Sequence, residues 1–124
     1  MINEAMNSGC AEVVNEQVGA APYLIDQGIN GLVYPGGSFE KMAEAVLFLL
    51  ENPGERKRMG KEAFHTITGL WNAEHGAEEL LRFAKGLLDG EAVPAKEGPL
   101  SPAPVIAPGK SRRKQDWKKK KERY

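Results

Sequence analysis

The sequence is short of several things, and each absence narrows what the protein can be. Among its 124 residues there is one cysteine, Cys10, so no intrachain disulfide can form. A reducing compartment is the simplest setting for a single thiol, and the cytoplasm is the expected location. There is no long hydrophobic run. The longest, Ala45 to Leu50, falls far below the roughly 20 residues that a membrane-spanning helix needs. The N-terminus has no basic start leading into an apolar stretch, and Glu4 arrives almost at once, which reads against a secretory leader. The two histidines, His65 and His75, have no second ligand at metal spacing, and Cys10 has no histidine in a cysteine–histidine signature. Those three side chains read as packing or surface residues, so no metal site and no catalytic nucleophile is expected.

What is present suits one small domain with 41% hydrophobic and 27% charged residues. The formal net charge is zero, yet it is unevenly distributed. Residues 110–124 carry nine Lys and Arg against Asp116 and Glu122, a net +7, while residues 1–109 carry 8 basic and 15 acidic side chains, a net −7. An acidic body and a basic tail are therefore read separately.

Along the body, Met1 to Ser8 has helical composition and Gly9 reads as its stop. Cys10 to Val14 reads as a short strand into which Glu12 fits poorly. A loop at Gly19 to Pro22 leads into a short helix, Tyr23 to Gln27, ended by Gly28. Asn30-Gly31 reads as a turn before a second strand, Leu32 to Tyr34, which Pro35-Gly36-Gly37 stops. Ser38 can cap a helix with Met42, Val46, Leu49 and Leu50 on one face, broken at Asn52-Pro53-Gly54. A helix over Glu55 to about Thr68 follows, with Met59, Ala63 and Ile67 along one side. Asn72 can cap a last helix whose apolar stripe is Ala77, Leu80, Leu81, Ala84 and Leu88. Prolines at 94, 99, 102, 104 and 108 leave no room for helix or paired strand in a linker over 91–109. A basic, disordered tail is expected over 110–124. Two strands joined by a crossover point to a parallel α/β sheet, although two short strands alone make a poor one.

Three stretches carry a resemblance: Asn3 to Val14 (NEAMNSGCAEVV), Val18 to Gly37 (VGAAPYLIDQGINGLVYPGG) and Phe39 to Ala63 (FEKMAEAVLFLLENPGERKRMGKEA). In order and spacing they resemble the C-terminal domain of the family 4 glycosyltransferases, the group 1 enzymes with the GT-B fold. The resemblance covers roughly residues 2–90, weakest in the last helix. It implies the distal half of a Rossmann-like donor-binding domain over 1–90. It also implies retaining transfer of a sugar from a nucleotide-sugar donor, usually without a bound metal, so no cofactor is expected. The family's signature is a pair of glutamates separated by seven residues. Glu4, in Glu4-Ala5-Met6, matches the second, which takes hydrogen bonds from the donor's ribose hydroxyls. An ionised carboxylate suits that task because it offers only acceptors. The first glutamate would stand eight positions before Glu4, outside this sequence. The diphosphate-holding groups and an N-terminal acceptor domain are likewise expected to be missing, leaving this chain inactive by itself.

Glu12 departs from the family's apolar strand residue, and its carboxyl has to lie at an edge, be paired or be protonated. The basic tail, with Trp117 and Tyr124, supports a rival reading as a non-catalytic module that binds nucleic acid or an anionic membrane surface.

Overall fold

The computed structural model describes residues 1–101. The expected tail over 110–124 and the later part of the expected linker lie outside the described residues. The elements run in the order α1 (Ile2–Asn7), β1 (Glu12–Asn15), α2 (Ala21–Leu24), β2 (Gly31–Tyr34), α3 (Phe39–Glu51), α4 (Pro53–Gly69) and α5 (Ala73–Leu88). The strands pair in parallel, Glu12 opposite Gly31 through Asn15 opposite Tyr34. This is the two-stranded α/β arrangement that the sequence predicts.

The helix ends follow local chemistry. The Ser38 hydroxyl accepts a hydrogen bond from the Lys41 amide at 3.2 Å, and the Asn72 side chain accepts one from the His75 amide at 2.8 Å. Both satisfy first-turn donors that a helix leaves unpaired. Gly9 ends α1 at φ +73°, in the left-handed region that suits glycine. The short second helix starts earlier than the sequence predicts. Its Pro22 sits in the first turn, and the chain is already extended at Ile25.

Met6, Val14, Ala21, Leu24, Ile25, Ala63 and Ile67 form one buried cluster, with Ile2, Ala20, Val33 and Trp71 packed against it. The expected α4 stripe is buried. On α3 only Leu49 of the four expected face residues is buried, while Val46 and Leu50 are exposed. A helix that is apolar on several sides shows by its sequence that it is apolar, but not which side finds a neighbour.

The segment between α2 and β2 is anchored by a buried side chain rather than left as a surface turn. Asn30 donates from Nδ2 to the Leu24 carbonyl at 2.9 Å and to Thr66 Oγ1 at 3.0 Å, and its Oδ1 accepts from the Asp26 amide at 2.7 Å. Thr66 in turn donates to the Glu62 carbonyl within α4. Arg58 of α4 adds two guanidinium bonds, to the Gly28 carbonyl at 2.8 Å and the Ile29 carbonyl at 3.2 Å. One amide thus ties α2, the strand entrance and α4 together.

The packing of α5 is the feature its apolar pattern does not indicate. Its apolar stripe faces solvent, and its inward face carries Gly76, Glu79, Arg82 and Gly86. Residues 91–101, which form no helix or strand, lie along that face. Val93 occupies the space where a Cβ on Gly86 would sit, and Pro99 lies beside Gly76. Buried Glu79 is paired with Arg82 at 2.6 Å and with Lys96 at 3.2 Å, and Arg82 also donates to the Pro94 carbonyl. The small residues and the paired carboxylate face permit this close approach, so the leucines are left on the other side.

Two outcomes follow. Asn30→Ala strands the Leu24 carbonyl without its donor, and should cost about 2–3 kcal/mol in urea unfolding. A cost no larger than that of an exposed Asn→Ala control would contradict the anchoring role. Glu79 is held at about 2 by the hydrogen bond from Arg82, with further lowering by Lys96 against the opposing effect of desolvation. Its folded pKa lies below the unfolded value, so its contribution is complete above the ordinary carboxylate range and is lost as pH falls through about 2. Amide exchange of residues 91–97 should therefore accelerate at the acid end of that window, and Lys96→Met should move the onset to higher pH.

Candidate functional site

The site begins with how α1 is held. Met6 is fully buried against the core. Two residues earlier along the helix, about 200° around its axis, Glu4 points away from that contact, and its side chain is 77% exposed. At the end of α1 the backbone of Gly9 meets α4 at Gly60, where a Cβ would lie well inside contact distance of the Gly9 carbonyl oxygen. Any side chain at Gly60 would push α1 off α4. Glu4 therefore stands on a short helix fixed from below by Met6 and by a glycine-to-glycine contact.

The Glu4 carboxylate accepts from the Met1 α-ammonium, and its pKa is lowered chiefly by that hydrogen bond and then by the residue's own backbone amide. Its backbone carbonyl accepts from the Ser8 hydroxyl at 2.9 Å. The side chain is ionised and open to solvent, in the state that binding hydroxyl donors requires.

The other singled-out residues lie apart from Glu4. Cys10 is exposed and lines an open depression of about 650 Å³ with Gly9, Ala11, Pro53, Arg56 and Lys57. Arg56 is partly committed there, donating to the Leu49 carbonyl at the end of α3 at 2.9 Å. His65 is exposed and meets the Phe64 ring edge-on, with centroids 6.1 Å apart. His75 lies near Gly98. Among the described residues no group of His, Cys, Asp and Glu is placed to hold a metal ion. Gly19 has open space around it. Gly36 and Gly37 form a turn whose Gly36 amide donates to Glu16 Oε1 at 3.0 Å, and Gly37 has φ +79°. That bond brings together the loops that follow β1 and β2, at the end of a parallel sheet where α/β folds take ligands. Neither Glu16 nor Asn30 was singled out by sequence reasoning. Each has a partner at least 20 positions away, Thr66 for Asn30 and Gly36 for Glu16, and no local pattern announces such contacts.

Glu12 resolves as a partly buried misfit. Its Oε1 is shielded and has no hydrogen-bond partner among the described residues. Burial pushes its pKa up, against a smaller lowering by the Met1 ammonium. Gly31 opposite leaves room for it, because a Cβ there would crowd the Glu12 carbonyl and Cβ at 3.0 and 3.2 Å. No helix among the described residues is long and apolar enough to cross a membrane.

A family model for the group 1 glycosyl transferases matches residues 1–66. The match begins with α1, contains Glu4, Gly9, Asn30 and Gly60, and ends within α4, so α5 lies beyond it. Comparisons with curated proteins and with solved structures found no match. The matched segment is more than half of the chain and includes the helix, both strands and the glycine contact that present Glu4, and on that basis the protein belongs to the group 1 glycosyl transferases.

Proposed function

We propose that this chain supplies the ribose-binding side of the donor site in a retaining GT-B glycosyltransferase that uses a nucleotide sugar. The observation that carries the reading is the placement of Glu4: exposed, and fixed on a helix inside the matched segment. A carboxylate with two oxygens can accept from both hydroxyls of a vicinal diol, and each such charge-assisted bond exceeds a neutral one in strength.

The rest of the catalytic apparatus lies elsewhere. Sugar transfer requires charge stabilisation of the departing diphosphate, and we assign no residue of this chain to it. The partner glutamate, the diphosphate-holding groups and the acceptor domain come from sequence outside these 124 residues, and the chain acts as part of a larger enzyme, in the cytoplasm. By itself it should not turn over a nucleotide sugar.

The test is calorimetry on a chain extended upstream, titrated with uridine, guanosine and adenosine diphosphates. Glu4→Gln should weaken the best ligand by about 2 kcal/mol, roughly thirtyfold. A deoxyribose analogue should lose a comparable amount and then be insensitive to Glu4→Gln. Equal losses from Glu4→Gln for ribose and deoxyribose ligands would remove Glu4 from the ribose site.

A second reading rests on the +7 charge of residues 110–124, which lie outside the described residues. Nine cations with Trp117 and Tyr124 suit an anionic surface, either nucleic acid or membrane lipid. Binding to single-stranded RNA or to phosphatidylserine vesicles should fall steeply between low and physiological salt. Deleting 110–124 without losing that binding would end this reading.

A further inference from the structure

The apolar stripe of α5 has no partner in the described chain. Leu80, Leu81, Leu87 and Leu88 are 56%, 71%, 62% and 88% exposed. Ala77 and Ala84 are exposed beside them, and the helix's opposite face is already covered by residues 91–101. Among the described residues the stripe is therefore not the surface by which α5 is held. A row of leucines open to water along about two and a half turns of helix carries a hydration cost that contact with another apolar face would remove.

The charges at the margin of the stripe indicate what that face is. Glu78 and Lys85 stand seven residues apart, two helical turns, and so on the same flank. Both are exposed, and neither forms an ion pair among the described residues. Glu78 lies three positions before Leu81 and Lys85 four after. A second α5 laid antiparallel across Leu81 therefore brings Glu78 of each copy beside Lys85 of the other. Leu81 then meets its own equivalent near the two-fold axis. Ala77 and Ala84, placed on either side of it, are small enough to let the two helix axes approach. This is the self-complementarity that a two-fold interface requires. A partner carrying only one sign of charge would match half of the flank and oppose the other half.

We propose that the α5 stripe is a self-association surface, on which a second copy of this chain docks antiparallel about Leu81. One helix face is small beside the interface of a standard stable complex, so the association depends on concentration. The inference does not rest on the glycosyltransferase reading.

Sedimentation velocity of the full chain over a concentration series tests it. A monomer–dimer equilibrium is expected, weakened at least tenfold by Leu81→Glu with the helical circular dichroism retained. Glu78→Lys should weaken it several-fold, and Glu78→Lys combined with Lys85→Glu should restore it. In a Cys10→Ser background, Leu81→Cys should cross-link to its own equivalent under mild oxidation, a readout that survives even if Leu81→Glu unfolds. A chain that stays monomeric at every soluble concentration would overturn the proposal, as would a charge swap that fails to restore association. Stripe-dependent binding of the monomer to anionic vesicles, or protection of the stripe within a monomer, would also overturn it.

Discussion

The approach of α1 to α4 governs what this chain can present. Gly60 faces the backbone of Gly9 with no room for a Cβ, and that absence of a side chain lets Met6 sink fully into the core. With Met6 buried, the short helix has one orientation, and Glu4 is held on its outer side. A six-residue helix has little stability of its own, so its geometry comes from this contact rather than from propensity. The placement of Glu4 thus depends on a glycine 56 positions away in the sequence.

A second constraint acts on the rest of the body. The parallel pairing of β1 and β2 needs the chain to return after α2 in a defined place, and Asn30 sets that place by bonding to α2, to its own loop and to α4 together. Buried amides of this kind have to be fully satisfied to be tolerated. Glu12, with one shielded oxygen unpaired, is the exception within the sheet.

Much of this was legible in the sequence wherever the cause is local. Ser38 and Asn72 announce helix starts because a cap works over three residues. Gly9 announces a stop, and the spacing of Met59, Ala63 and Ile67 announces the buried side of α4. Glu4 is a candidate only through resemblance, since an exposed glutamate in a first helical turn has no local mark of function. Asn30 read as a turn residue because its partner Thr66 lies 36 positions away. The stripe of α5 was legible as apolar, but the direction it faces was not. Periodicity reports which residues share a face, but the covering segment was chosen by Gly76, Gly86 and the Glu79 ion pairs.

The central claim is that Glu4 is a ribose ligand in a donor site this chain shares with sequence outside it. The most direct measurement is a crystal structure of an upstream-extended chain with a bound nucleoside diphosphate. The account predicts both Glu4 carboxylate oxygens within hydrogen-bond distance of the ribose hydroxyls, with α1 still seated on Gly60. A nucleotide bound with its ribose elsewhere, and Glu4 left in solvent, would contradict it.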